Sequence, residues 1–290
     1  VVRELEPLFT SPFGGVLAVL LGLLWGSFAN VCIYRWPPTD EHPKGRSVVK
    51  PGSHCGSCQA PIAWYDNVPI LSYLWLRGHC RNCKASFSPR YLLVEALMGA
   101  LFGVAWWFTL GTGGFYTTFE YGLVKFVIDA AFIFVMVVIT FIDIDHMMIF
   151  HKVTYPSMAI AYIASLHDHA WWEGLVGAAI GYGLPWLIAT IYMKVRNREG
   201  IGGGDFMFLA VAGALFGWKG AVATLFGGSV VGSVFGIANV IRKKMKARAE
   251  GTEDPDVMTA ELPFGPYLAA AAVFYLFAEP WLTVQFRLLY

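Results

Sequence analysis

The sequence predicts an all-α polytopic membrane protein: about eight transmembrane helices, with a small zinc-binding cytoplasmic domain between helices 1 and 2. Three observations carry this. Apolar residues make up 57% of the 290 and charged residues only 14%, whereas a soluble domain carries about 25% charged residues. The apolar residues gather into runs close to the length of a bilayer span. One long polar stretch interrupts them, and it holds four of the 5 cysteines. The net charge of +1 points to no class of partner, and no nucleic-acid motif is present.

The apolar runs are 12–34, 91–110, 122–142, 153–167, 173–194, 206–217, 221–241 and 264–286. A straight span needs about 20 residues. The run 206–217 is short because Asp205 opens it. The run 12–34 is long enough to span and is followed by a basic loop, so it reads as a helix and not a cleaved signal. Orientation follows from Lys and Arg, which accumulate on the cytoplasmic side. With 35–90 placed there and sides alternating, only Arg3, Lys125, Lys219 and Arg287 of the 21 basic residues fall outside. This asymmetry supports an even number of spans, with both termini outside. Residues 242–260 are basic, then acidic, and read as a solvated connector whose basic part suits anionic lipid. No internal repeat stands out.

The polar stretch contains Cys55-Gly-Ser-Cys58 and Cys80-Arg-Asn-Cys83. Two such pairs can gather around one tetrahedral Zn²⁺, although the gap between them slightly exceeds the usual ribbon spacing. Chance pairs or a redox pair are the alternatives, but redox chemistry needs only one C-x-x-C. Four thiolates leave no open coordination position, so the metal would be structural. The segment 35–90 is too short for a large core, and a metal suits it. Trp64, Tyr65, Tyr73, Leu74 and Trp75 are apolar enough to pack beside the knuckles or on lipid headgroups. Cys32 lies in an apolar run and reads as core.

Acids inside apolar runs are costly and therefore functional candidates. They are Glu95, Asp129, Asp143, Asp145 and Asp205. Glu95 and Asp145 read as boundary acids reaching water. Asp143 closes AFIFVMVVITFID and Asp205 opens a run after Gly202, Gly203 and Gly204. The topology puts both at the cytoplasmic edge, where two carboxylates can form a dyad. One ionised carboxyl would take a proton from water while the other donates to a carbonyl. The three glycines would let an extended substrate backbone approach. Asp205 begins a helix and Asp143 ends one, which assigns Asp205 as base and Asp143 as acid.

These residues resemble the bacterial type IV prepilin peptidases, also called leader peptidases/N-methyltransferases, which are intramembrane aspartic proteases. The resemblance runs through GSFANV and YRWP at 26–37, the cysteine segment from Arg46 to Glu95, Phe141-Ile142-Asp143, Gly202-x-Gly204-Asp205, and Leu262-Pro263-Phe264-Gly265-Pro266. It implies an endopeptidase of the bacterial inner membrane with its zinc domain and catalytic aspartates on the cytoplasmic side. Such an enzyme removes the leader of type IV prepilins and of pilin-like secretion subunits. It implies Asp143 and Asp205 as the catalytic pair. It further implies N-methylation of the new N-terminus with S-adenosylmethionine. The chain then divides into a first membrane segment (1–34), the zinc domain (35–90) and a seven-helix peptidase domain (91–290). Phe150-His151 and Met207 depart from the family pattern, which usually has Pro-Asp and Lys there. A non-catalytic zinc-containing scaffold of pilus or secretion assembly, and a proton-coupled transporter, are the other readings of the same acids and cysteines.

Overall fold

Lipid offers no hydrogen bonds, so a chain this apolar must satisfy its backbone within helices. The computed structural model describes residues 2–111, 116, 118–197, 202–250 and 263–285. Among these the regular elements are all helical: α1 (Val2–Thr10), α2 (Pro12–Arg35), a 3₁₀ turn (Trp64–Asn67), α3 (Leu71–Trp75), α4 (Arg90–Thr109), α5 (Phe119–His146), α6 (His151–Ser165), α7 (Trp171–Arg196), α8 (Gly203–Glu250) and α9 (Gly265–Gln285). The acidic part of the expected connector, and Leu262, lie outside the described residues.

Among the described residues, α2, α4, α5, α7 and α8 are long and apolar enough to cross a membrane. The protein is thus an all-α multi-pass membrane protein, with five such helices where about eight spans were expected. α6 has only 15 residues, below the length of a straight span. The runs 206–217 and 221–241 are continuous as α8, interrupted at Gly217 (φ 69°, ψ −172°). That left-handed φ is open to glycine at little cost and ends helical hydrogen bonding locally. Large apolar side chains such as Ile163, Phe226, Val230 and Phe274 face outward, the surface expected of a protein solvated by lipid.

The chain forms two compact units, 1–138 and 139–290, with the division inside α5. In the first, α2 packs along α4. A Cβ at Gly26 would lie 2.7 Å from the Glu95 Cα, and one at Gly22 would lie 2.6 Å from the Met98 carbonyl oxygen. Small residues let helix backbones approach this closely, which replaces the hydrophobic drive that lipid removes. Trp25 and Phe28 of α2 meet the Phe134 ring. The Trp106 indole N–H donates to the Phe9 carbonyl at 2.7 Å.

In the second unit α8 is central, packed by α6, α7 and α9. Its first half is buried from Phe206 to Phe216, apart from the half-buried Met207 and with Phe208, Val211, Ala212 and Ala214 fully enclosed. The short run 206–217 is therefore core and not a marginal lipid-facing span. Gly177 of α7 and Gly213 of α8 touch so closely that each carbonyl occupies the place of the other's missing Cβ.

The cysteine loop does contain a repeat, H-C-x-x-C-x-A at 54–60 and again at 79–85. Its two copies fold alike. Cys55 N–H donates to Ala60 O, and Cys80 N–H to Ala85 O, at 2.9 and 2.8 Å. Gln59 and Lys84 take equivalent positive φ values of 57° and 61°. Each copy closes with a single bridge, His54 to Pro61 and His79 to Ser86. The likeness is one of backbone turns, which seven loosely matching letters do not announce.

Gly213→Leu should force α7 and α8 apart, since the new side chain meets backbone that cannot yield. A loss of about 1–3 kcal/mol is expected for such overpacking, read as a lower unfolding midpoint in detergent.

Candidate functional site

Asp143 stands in the last turn of α5 and Asp205 in the first turn of α8. Both belong to the second unit and both are buried, at 5% and 8% exposure. The fold brings them near one another across the intervening chain, so that the Asp143 carboxylate acts electrostatically on Asp205. Asp205 donates its own N–H to the Gly202 carbonyl at 3.1 Å, which fixes the turn entering α8.

A third group completes the pair. The Gly265 N–H, at the start of α9, donates to Asp143 Oδ2 at 3.0 Å. The first N–H groups of a helix have no partner within it and suit a carboxylate. A Cβ at Gly265 would lie only 2.6 Å from that same oxygen. Glycine at 265 is therefore what lets α9 reach the carboxylate. This overturns the premise for dividing base from acid by each aspartate's own helix end. A helix N-terminus from elsewhere in the chain serves Asp143 as well.

The other acids separate. Asp145 is exposed. Asp129 is buried and ion-paired with Lys125 at 2.9 Å, one turn apart on α5. Glu95 does not reach out to water: it is 9% exposed, and its Oε2 accepts the Ile70 N–H at 2.8 Å. Burial follows from the close α2–α4 packing beside Gly26. Of the three glycines, Gly203 has open space where a Cβ would be, Gly202 lies beside the Asp205 carboxylate, and Gly204 fits tightly against Ile149. Met207 is half-buried in α8, and His151 stacks on Tyr155 at the start of α6.

In the first unit the sulfurs of Cys55, Cys58, Cys80 and Cys83 lie within 4.8 Å of one another and can hold a metal ion. Cys55 Sγ and Cys83 Sγ are 3.8 Å apart, far beyond a disulfide's ~2.05 Å. The two repeated turns point their sulfurs inward. N–H groups of Cys58 and Ser57 lower the Cys55 thiol to about 6. At Cys83 the Ala85 N–H acts in the same sense, but desolvation and the neighbouring sulfurs outweigh it and push the thiol up to about 11. Four sulfurs this close cannot all carry charge unless a cation joins them. Asp66 anchors the second knuckle to the 3₁₀ turn through Arg81, at 2.6 and 2.7 Å.

Fold and site together define a multi-pass membrane protein with two buried carboxylates near one another and a four-cysteine cluster able to hold a metal ion. Residues 20–109 match the bacterial peptidase A24 N-terminal domain, and residues 130–237 match the type IV leader peptidase family. Proteins named prepilin leader peptidase/N-methyltransferase resemble the chain over most of their length. That of Neisseria gonorrhoeae is 35% identical, covering 80% of this chain and 85% of that protein. That of Stutzerimonas stutzeri is 34% identical, covering 93% of each. That of Pseudomonas aeruginosa is 33% identical, covering 92% of this chain and 91% of its own. The chain belongs to the type IV leader peptidase family. No solved structure matches it.

Gly265→Ala should displace Asp143 without removing any carboxyl. If the Asp143 carboxyl takes part in the reaction, a fall in kcat of about 100-fold is expected from misplacing it, with KM little changed. Steady-state peptidase kinetics on the purified chain would check this. Ala at 203 should be tolerated far better, because nothing occupies that space.

Proposed function

We propose that the protein is a membrane aspartic endopeptidase that removes the leader peptide of type IV prepilins and pilin-like secretion subunits. The observation that carries this reading is the buried Asp143–Asp205 pair, with Asp143 held by the N-terminus of α9, in a chain whose relatives are named prepilin leader peptidases. Asp143 and Asp205 are assigned as the catalytic residues. Two adjacent carboxyls share one proton. The ionised one removes a proton from water, and water oxygen attacks the scissile carbonyl. The protonated one donates to that carbonyl oxygen. Collapse of the tetrahedral intermediate returns a proton to the leaving amine, and no enzyme-bound covalent intermediate forms. Gly202 and Gly203 leave the approach to Asp205 free of side chains, which suits an extended peptide.

The four cysteines are assigned a structural Zn²⁺. Zinc–sulfur bonds of about 2.3 Å in a tetrahedron place sulfurs about 3.8 Å apart, the spacing of Cys55 and Cys83. The relatives' names also carry N-methyltransferase. We read from this a second activity, methylation of the new N-terminus, for which S-adenosylmethionine would supply a methyl group on a positively charged sulfur.

The same reading places the chain in the bacterial inner membrane. It takes 1–34 as the first membrane segment, 35–90 as the zinc domain and 91–290 as the peptidase domain. Eight spans follow when α8 is counted as two helices about Gly217 and α6 and α9 are added to the long helices. The Lys and Arg distribution then puts the zinc domain and the aspartates on the cytoplasmic side.

Asp143→Asn and Asp205→Asn should each lower leader removal by about 100-fold or more, as loss of an acid–base group does. Each variant should still fold. Incubation with a prepilin and mass measurement of the product would check both. Asp145→Asn should retain activity; if it is the inactive one, the pair is misassigned. Elemental analysis should find about one zinc per chain in protein purified without chelator. Cys80→Ser should lose that zinc and expose the 36–89 loop to protease before the helices.

A further inference from the structure

The loop between α2 and α4 carries a short helix turned inside out. In α3, Leu71, Leu74 and Trp75 recur at i, i+3 and i+4, the spacing of one helical face. That face is turned outward: Leu71 is 67% exposed, Leu74 60% and Trp75 82%. Ser72 and Tyr73 are turned the other way. They are half-buried and line a cavity walled by α2, α4 and the loop itself. The 3₁₀ turn touches α3 and adds Trp64 and Tyr65 to the exposed apolar surface. Apolar side chains gathered on a surface in this way mark an interaction site.

What covers this face follows from where α3 stands. α4 has 20 residues, no more than a bilayer span requires, so its first turns lie at the lipid boundary. Glu95 is in its second turn, about 7.5 Å along the helix axis from Arg90. Glu95 Oε2 accepts the Ile70 N–H at 2.8 Å, and Ile70 is the residue that enters α3. α3 is thereby tied within a side chain's reach of α4 at the depth of the headgroups. At the same level α4 itself turns Leu93 and Leu97 outward, so the apolar face of α3 stands beside a helix that lipid already surrounds.

Charge is a second, independent observation. Residues 36–90 hold seven Lys and Arg against three Asp and Glu, and Arg77 and Lys84 are exposed soon after α3. Trp and Tyr collect at bilayer interfaces, where an apolar ring and a polar edge are both satisfied. Basic groups beside them meet the anionic lipids of a cytoplasmic leaflet.

We propose that α3 docks the cysteine loop onto the membrane surface, with Leu71, Leu74 and Trp75 sunk among the lipid headgroups and Arg77 against their phosphates. The occupant of this face is the bilayer that the chain already spans, and not a second protein. Docking holds the loop at the membrane by a contact separate from the Glu95 tie. The choice of leaflet rests on the cytoplasmic placement given under the proposed function; the docking itself is independent of the aspartate pair.

The test places a photoreactive residue, p-benzoylphenylalanine, in the full chain in place of Leu74, in nanodiscs of phosphatidylethanolamine and phosphatidylglycerol. The same probe in place of Val104, on the exposed surface of α4, sets the labelling that lipid gives. In place of Asn82, exposed on the second cysteine turn, it sets the labelling of a polar position in the same loop. After illumination, mass measurement should find phospholipid adducts at position 74 approaching those at 104 and several-fold above those at 82. A further probe in place of Trp75 should behave as the one at 74, so that a local fault at one position does not decide the outcome. Adducts at 74 and 75 no more frequent than at 82 would overturn the proposal. So would crosslinks from these positions to an added prepilin in place of lipid, which would make the face a protein-docking site. The expected adducts in a chain that cuts no prepilin would instead sink the peptidase reading and leave this one standing.

Discussion

A carboxylate enclosed by apolar helices is stable only where donors or cations meet it. Much of this chain is arranged around that demand. Asp143 is met by the Gly265 N–H of α9. Asp205 is placed in the first turn of α8, where backbone N–H groups have no helical partner. Asp129 is met by Lys125 on its own helix, and Glu95 by the Ile70 N–H. Each solution differs in what it leaves available. The Lys125–Asp129 pair holds opposite charges together. Asp143 and Glu95 instead meet neutral N–H donors, with no cation paired to them in these hydrogen bonds.

The helix packing makes these positions reachable. α8 can carry Asp205 into the interior because its first half is buried by α6, α7 and α9. Glycine contacts such as Gly177–Gly213 bring the backbones to touching distance. In lipid, close packing of small residues does the work that the hydrophobic effect does in water. The break at Gly217 separates this buried half from an outer half bearing Phe226 and Val230 on its surface. One element thus serves both as core and as lipid-facing wall.

The loop between α2 and α4 has a different foundation. It has little apolar core, and Trp64, Leu71 and Trp75 are exposed. Its order comes from two matching cysteine turns, the Asp66–Arg81 ion pair and the tie from Ile70 to Glu95 on α4. The last of these joins the loop to the membrane helix at a charged side chain. A short segment without a large core needs such cross-links.

Composition and periodicity determined the class, because a bilayer imposes length and apolarity on each span one segment at a time. The cysteine spacing announced a cluster able to hold a metal ion, and Asp143 and Asp205 stood out because acids are rare in apolar runs. All of these are local properties. Several features escaped such reading. The glycine break at 217 depends on one φ value. The repeated cysteine turns lie in backbone geometry more than in letters. Glu95 is a boundary acid in the sequence and a buried one in the fold, since burial depends on which face α2 covers. The Gly265 donor belongs to α9 and serves a residue on α5, 122 positions away in sequence. Only tertiary structure decided that partnership, because a hydrogen bond between distant segments is specified by how helices pack and leaves no spacing to read along the chain.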